Sequence, residues 1–305
     1  MGYTKRILFM IPLMLAISFL SFGLVRLAPG GPFDRERKPA SPEIERRIRE
    51  KYHLDEPLLK QYGRYLMGIL RGDLGPSLKY RNHTVTEIVV QGLPISMGLG
   101  LCAFVFALGL GIPLGLYTAA AKGGFGEVAG TFLAVLLVCV PGFVIGPLLV
   151  MELGIRWRLL PVALLESPAH WILPVVTLGL YFAGRVARLL REGMLSVRNA
   201  DFVIAARSKG LSDLEVMLRH TFRIGVLPVV SYSGPMLADL MTGSFVVENL
   251  FQIPGMGVFM VNSSLSRDYT MIVGLVLVYA WLLLVLNLVV DMAYRVLDPR
   301  IRHED

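Results

Sequence analysis

The chain has 305 residues, of which 54 % are hydrophobic and 17 % are charged, and its formal net charge is +7. Soluble globular domains usually carry about 25 % charged residues. Here the charges are bunched between long apolar runs, so the composition argues against an ordinary soluble protein and indicates a multi-pass membrane protein. The excess of Lys and Arg is expected in cytoplasmic loops, and we do not attribute it to nucleic-acid binding.

Six apolar stretches are each long enough, at about 18 residues or more, to cross a bilayer core of about 30 Å. They are residues 7–27, 94–120, 128–153, 171–190, 225–247 and 271–294. The first follows Lys5 and Arg6. We interpret it as a retained helix rather than a cleaved signal peptide, because its apolar core is long and no A-x-A-like site follows it. The predicted fold class is therefore all-α, with about six transmembrane helices.

The orientation follows from Lys and Arg in the short loops, which concentrate on one side of the predicted membrane. The opposite short loops hold only Arg156, Arg158 and Arg267. Both termini are therefore predicted to be cytoplasmic, with the long first loop outside and membrane lipid around the spans. The predicted organisation is a first helix (1–31), an outer loop subdomain (32–93), a core of five helices (94–295) with a cytoplasmic segment (199–215), and a tail (296–305).

The outer loop contains helix signals. Ser41 is a suitable N-cap, because Pro42 follows it in the first helical turn. Further on, Leu58, Tyr62, Leu66 and Ile69 recur at helical spacing. The loop is interpreted either as a helical cap on the membrane domain or as a dock for an external partner, and the spacing does not choose between them.

The second span carries Gly109, Gly111 and Gly115, and the last two form a G-x-x-x-G pair that lets helices approach closely. Two ionisable side chains, Arg185 and Asp239, fall inside predicted spans, where a charge must be paired or hydrated. Each is expected to face the interior of the bundle. They either line a polar substrate path or form a structural ion pair, or Arg185 extends to the cytoplasmic edge. The five histidines are scattered, so no metal site is predicted.

The segment 199–215 carries the clearest local signals. Asp201 is expected to cap a short helix, and Gly210 is expected to end that helix in the left-handed conformation. Ser212 and Glu215 form an S-x-x-E capping box that opens the next helix. The sequence therefore predicts a short helix, a sharp turn and a second helix that leads into the fifth span.

The short helix is expected to expose Ala205 and Ala206, so that its backbone enters a groove on another protein. Arg207 and Lys209 are expected to contact acidic residues there. The competing interpretation is a basic helix held against the bilayer by anionic lipid, and spacing alone leaves both open.

The order of Ala205, Ala206 and Gly210 resembles the "EAA" coupling loop of ABC importer permeases. Ile204 stands at the usual Glu position, and the Leu227-Pro228 pair comes late, both as in the peptide and nickel branch of that family. Five further motifs resemble that branch. They are Arg26-Leu27-Ala28-Pro29-Gly30-Gly31-Pro32, Leu54-Asp55-Glu56-Pro57-Leu58 followed by Gln61-Tyr62, Gly72-Asp73-Leu74-Gly75-Pro76-Ser77, Glu248-Asn249-Leu250-Phe251-Gln252-Ile253-Pro254-Gly255-Met256-Gly257, and Asp298-Pro299-Arg300.

This resemblance implies the first, long-looped permease of a dipeptide, oligopeptide or nickel importer in a bacterial inner membrane, with a type I ABC permease core. The partners it implies are a homologous second permease, two ABC ATPase subunits and an external binding protein. The ATPase-coupling residues it implies are Asp201, Ala205, Ala206, Arg207, Lys209, Gly210, Ser212 and Glu215. ATP and magnesium would bind to the ATPases, and this chain would bind no cofactor.

The chain contains no G-x-x-x-x-G-K-[ST] phosphate loop, no G-x-S-x-G elbow and no H-E-x-x-H motif. It is therefore not expected to be an enzyme. The alternative function is a secondary transporter driven by an ion gradient, with Asp239 as the proton or cation site. That alternative usually comes with an inverted internal repeat, and no convincing repeat relates the halves of this sequence. The identity of the substrate stays open.

Overall fold

The computed structural model describes residues 3–27, 56–80, 83–121 and 123–297. The helix start expected at Ser41 and Pro42, and the motif at 298–300, lie outside these ranges. Within them the regular structure is helical, apart from an isolated bridge between Pro76 and Thr84. The helices are α1 (Tyr3–Leu27), α2 (Leu58–Leu70), α3 (Val85–Ala120), α4 (Phe125–Cys139), α5 (Gly142–Arg156), α6 (Ile172–Ser196), α7 (Asp201–Ser208), α8 (Asp213–Gly225), α9 (Leu227–Met241), α10 (Phe245–Leu250), α11 (Met256–Ser266) and α12 (Tyr269–Leu297).

Four stretches in the described ranges are long and apolar enough to cross a membrane, and two bent helix pairs bring the number to six if each pair is one span. The first stretch, Ile7–Leu27, matches the predicted span. Helix α3 begins at Val85, about nine residues before the predicted start. The apolar run begins only near Pro94, but the helix extends beyond it through a more polar first part that contains Glu87.

Two of the predicted spans are not single straight helices. In the stretch 128–153, α4 and α5 meet at a bend of 102°. The cause is Pro141, which has no N–H to donate, and Val140 before it is extended with ψ 117°. The stretch 225–247 is also interrupted. Helix α9 ends at Met241, and Gly243 (φ +86°) turns the chain into α10.

The described residues of one compact unit lie within 97–253 and 289–297. Its core lies around α6, against which α3 packs through the predicted glycine pair. A Cβ at Gly111 would lie 2.6 Å from the Ala183 carbonyl oxygen, and one at Gly115 would lie 2.8 Å from that of Ala187. Gly109 faces open space. The close approach of helices expected from G-x-x-x-G is confirmed.

The described residues of the other unit come from the first 96 residues and from 254–288. There the Asp268 carboxylate, which is 1 % exposed, joins the loop after α2 to the start of α12. Its Oδ2 accepts hydrogen bonds from the Ser77 hydroxyl at 2.5 Å and from the backbone N–H of Leu78 at 3.0 Å. Its Oδ1 accepts one from the Met271 N–H at 3.1 Å. This network explains why Ser77 ends the G-D-L-G-x-S motif.

In the same unit, α2 is the helix predicted from the spacing of Leu58 and Tyr62. It packs on α1, where the Tyr62 hydroxyl lies 2.7 Å from the Ser18 hydroxyl. The Tyr62 ring lies 5.4 Å from the ring of Phe19 and 5.5 Å from that of Phe22. This packing supports the interpretation of the outer loop as a helical cap.

Candidate coupling segment and charged membrane face

The segment 199–215 folds as a helix, a turn and a second helix. Helix α7 begins at Asp201, and Ala200 is its N-cap without a side-chain hydrogen bond. The expectation that Asp201 caps this helix is therefore wrong, because Asp201 is already the first helical residue. A carboxylate in the first turn still interacts favourably with the helix dipole. The chain then turns at Gly210, whose φ of +80° is the left-handed value expected from the sequence.

The second helix begins as predicted at Ser212, whose hydroxyl accepts a hydrogen bond from the Glu215 N–H at 3.3 Å. Only this half of the capping box forms. The Glu215 carboxylate instead accepts a hydrogen bond from the Arg219 guanidinium at 2.7 Å, one helical turn further on. The helix continues through a π-helical stretch, Val216–Thr221, and ends at Gly225.

A small apolar core joins the two helices. Val203 and Ala206 of α7 are buried against Val216 of α8. Ala206 is only 4 % exposed, so the expectation that it is exposed is wrong. It lies three residues after Val203, which places both on the inner face of α7. The Arg207 guanidinium lies 3.7 Å from the Asp213 carboxylate and thus has an acidic partner within this chain.

The outer side of this segment is more apolar than the sequence analysis expected. Ile204 is 51 % exposed and Leu214 is 63 % exposed, and Phe202 and Leu218 are also exposed. Ala205 and Lys209 are exposed as predicted. Phe202, Ile204 and Ala205 belong to α7, and Leu214 and Leu218 belong to α8; we call this set of exposed residues, on the outer sides of the two helices, the docking face. The sequence contained a signal for this exposure. Once Val203, Ala206 and Val216 are assigned to the buried side of their helices, the other apolar residues must lie on the exposed side.

The two ionisable residues of the predicted spans lie on one face of α6 and α9. The Arg185 guanidinium lies 4.8 Å from the centre of the Tyr232 ring and donates to the Tyr181 hydroxyl at 3.3 Å. Asp239 lies two helical turns after Tyr232 on α9, close enough to Arg185 for an electrostatic interaction. No ion pair joins these two described side chains.

Both Arg185 and Asp239 are exposed on the surface of this chain. The expectation that each faces the interior of the bundle is therefore not met within this single chain. The structural ion pair that the sequence left open is not formed either. What the chain presents is a membrane-level surface with one cation, one anion and two phenol groups.

Residues 111–303 match the family model described as "binding-protein-dependent transport system inner membrane component". The chain belongs to this family. Family membership identifies it as a permease subunit of an ABC importer in the inner membrane, and it argues against the ion-gradient alternative.

Relatives of this permease extend over nearly its whole length. The oligopeptide transport system permease protein OppB of Haemophilus influenzae is 38 % identical over 301 residues, which are 98 % of each chain. The dipeptide transport system permease protein DppB of Bacillus subtilis is 37 % identical over 298 residues, which are 98 % of this chain and 96 % of that one.

Solved structures support the same fold. A chain of the MetNI methionine ABC transporter, in an inward-facing conformation, superposes with a TM-score of 0.58 at 14 % identity. The match covers 70 % of this permease and 97 % of that chain. The all-helical membrane fold with a type I ABC permease core is thereby confirmed. The cytoplasmic location of both termini stays a prediction.

Proposed function

We propose that this permease imports peptides and is driven by ATP hydrolysis on two separate ABC ATPase subunits, which also hold the ATP and magnesium. A homologous second permease would complete the translocation path, and an external binding protein would deliver the substrate. The observation that carries the proposal is the docking face, a set of exposed apolar side chains on two helices that share a small buried core. The near full-length similarity to permeases named for oligopeptide and dipeptide transport supports the substrate class.

The coupling role rests on how α7 and α8 are held together. The core of Val203, Ala206 and Val216 and the Arg207–Asp213 pair make the two helices one body. A push on α7 would therefore be carried into α8 and on to α9, which continues α8 after a bend of 51°. Exposed apolar side chains gain free energy when a partner covers them. The docking face thus supplies affinity for an ATPase groove, and Lys209 supplies a charge at its edge.

The substrate path is proposed along the face that carries Arg185 and Asp239. A charge exposed at membrane level needs water or a polar partner, and a second permease packed around this face would enclose a hydrated path. A zwitterionic peptide carries a carboxylate at one end and an ammonium group at the other. Arg185 and Asp239 offer opposite charges to those two ends, and the hydroxyls of Tyr181 and Tyr232 offer hydrogen bonds.

Cysteine labelling tests the coupling role. In a chain whose native cysteines, Cys102 and Cys139, are replaced, Ser208→Cys puts a thiol on exposed α7 and Glu166→Cys puts one on the predicted outer side. In intact cells that express the whole transporter, a membrane-impermeant maleimide should label Glu166→Cys and leave Ser208→Cys unlabelled. In isolated membranes, Ser208→Cys should cross-link to an ATPase subunit.

Three results would contradict the proposal. Labelling of Ser208→Cys from outside intact cells would place the segment on the wrong side of the membrane. A cross-link of Ser208→Cys to lipid alone, with no ATPase adduct in membranes that contain the whole transporter, would favour the lipid-bound basic helix instead. Peptide uptake by the purified chain without any ATPase would remove the proposed energy source.

A further inference from the structure

Two cavities lie between α1, α2 and α12. The first, of about 330 Å³, is lined by Leu15 of α1 and Leu277 of α12. The second, of about 400 Å³, is lined by Phe22 of α1 and Val273 of α12. The cavity nearer the end of α1 is thus the one nearer the start of α12, so the two helices run antiparallel here. The two cavities therefore lie one after the other along this antiparallel pair, and together we call them the cleft.

The first cavity is suited to hydrocarbon. Its lining side chains are apolar apart from one hydroxyl and one indole N–H. The lining residues from α2 and α12 are Leu66, Ile69, Leu70, Leu277, Val278 and Trp281. The single hydroxyl belongs to Ser18, and it is already engaged with the Leu15 carbonyl oxygen and the Tyr62 hydroxyl. The only other polar side-chain group of the lining is the indole N–H of Trp281.

The second cavity is polar and carries a cation without an acidic partner. Arg26, in the last turn of α1, stacks over the Phe22 ring at 5.1 Å, and no described carboxylate forms an ion pair with it. Arg64 is different, because it binds Glu56 at 2.9 Å. The carboxylate in the lining, Asp73, is exposed and accepts a hydrogen bond from the Gly75 N–H at 2.8 Å.

The hydroxyl of Tyr65, which also lines this cavity, has an unsatisfied hydrogen-bond donor. The Tyr65 hydroxyl is buried beside the cavity and has no hydrogen-bond partner among the described residues. Burial raises the pKa of the Tyr65 phenol above its ordinary value, and the nearby Tyr62 adds to that shift, so the hydroxyl remains a neutral donor. A buried donor without an acceptor is unfavourable. An oxygen-rich anion at Arg26 is the kind of group that would satisfy both side chains.

The position of the cleft decides between a lipid and a soluble anion. Only 11 % of the membrane-spanning part of α1 is buried within the structure, so this helix presents most of its surface to the bilayer. Arg26 lies at the end of that span, where lipid phosphates are found, and tyrosines are enriched at the same level. The apolar cavity continues from there toward the middle of α1. An amphiphile with a phosphate head and hydrocarbon chains matches both halves.

We propose that the cleft between α1, α2 and α12 binds a phospholipid from the surrounding bilayer, with its phosphate at Arg26 and Tyr65 and an acyl chain in the cavity lined by Leu277 and Trp281. This inference does not depend on the transported substrate. It gives the packing of α2 on α1 a further role, because α2 forms one wall of the lipid site.

Native mass spectrometry of the purified transporter, after delipidation and addition of phosphatidylglycerol, tests the proposal. Arg26→Gln should weaken phosphatidylglycerol binding about tenfold or more, since it removes a charge-assisted contact. Tyr65→Phe should weaken it about threefold while leaving the fold intact, because it deletes a hydroxyl that bonds nothing within the described chain. Arg71→Gln is the matched control, because Arg71 is an exposed arginine at the end of α2 outside both cavities, and it should bind as the wild type does.

Ligand controls separate the sources of the phosphate. Diacylglycerol with the same acyl chains should bind about tenfold more weakly than phosphatidylglycerol, and inorganic phosphate should not displace the lipid. The proposal is overturned if Arg26→Gln, eluting as an intact complex, retains as much phosphatidylglycerol as the wild type. It is also overturned if diacylglycerol binds equally well, or if inorganic phosphate competes, which would indicate a soluble-anion site.

Discussion

Gly210 is the residue at which the coupling hypothesis is most sharply testable. Its φ of +80° lies in the left-handed region, and a Cβ built there meets nothing within 4 Å. A side chain at this position is therefore opposed by backbone conformation alone and not by a steric clash with another residue. For an L-residue such as Ala, that conformation costs about 1–2 kcal/mol.

A cost of this size lowers the population of the native turn roughly 5- to 30-fold relative to conformations that relax it. The turn sets α7 against α8, so a relaxed turn would misalign the docking face. We expect peptide uptake per ATP hydrolysed to fall in the order Gly210→Asn, Gly210→Ala, Gly210→Val. Asn tolerates the left-handed region best, and β-branched residues tolerate it least.

The assay is peptide uptake and ATP hydrolysis measured together in proteoliposomes that contain the complete transporter. Gly109→Ala is the matched control, because Gly109 also faces open space but lies within helix α3, where Ala is favourable. It should leave the ratio of uptake to hydrolysis unchanged. If Gly210→Val transported peptide at the wild-type ratio, the coupling role assigned to this turn would be wrong.

Three further predictions concern other parts of the chain. Gly193→Ala should prevent stable folding, because its Cβ would overlap the Gly225 carbonyl oxygen; loss of the monodisperse peak in detergent gel filtration measures this. Asp268→Asn should lower the free energy of unfolding by about 2–4 kcal/mol, because an amide presents donors to buried N–H and O–H donors; the temperature of thermal unfolding measures this. Arg185→Gln and Asp239→Asn should each raise the KM for peptide about tenfold with ATP hydrolysis retained, which uptake kinetics would measure.

Each of these changes has a control or a contradicting result. Asp73→Asn alters an exposed carboxylate that accepts one local N–H and should leave the unfolding temperature within about 2 °C. A Gly193→Ala chain that folds normally would mean that α6 and α8 do not pack as closely as described. For the transport face, an unchanged KM in both Arg185→Gln and Asp239→Asn would place the substrate path elsewhere.

Features set by local chemistry were predictable from the sequence. The left-handed turn at Gly210 and the N-cap at Ser212 each depend on a few neighbouring residues, so the pattern alone identified them. The first span was also predictable, because its apolar run and its helix coincide. The glycine pair at Gly111 and Gly115 indicated a close helix contact, although the pattern did not identify α6 as the partner.

Features set by distant packing were not predictable. Ala206 is buried because Val216, ten residues further on, folds back over it, and no local pattern contains that contact. The partner of Ser77 is Asp268, which is 191 residues away. The exposure of Arg185 also depends on which neighbours cover α6. The bend at Pro141 belongs instead to the predictable features, because a proline inside an apolar stretch removes a backbone donor and favours a kink.

The docking face affects the solubility and the turnover of this chain before it assembles with its partners. Ile204 is exposed on α7, which belongs to none of the candidate membrane spans, so it stays in contact with water until a partner covers it. Newly synthesised copies in excess of the partner subunit would aggregate, or would be degraded by proteases that recognise exposed hydrophobic surface. The cell would then need to synthesise the subunits in balanced amounts. The abundance of this chain would follow that of the least abundant partner subunit.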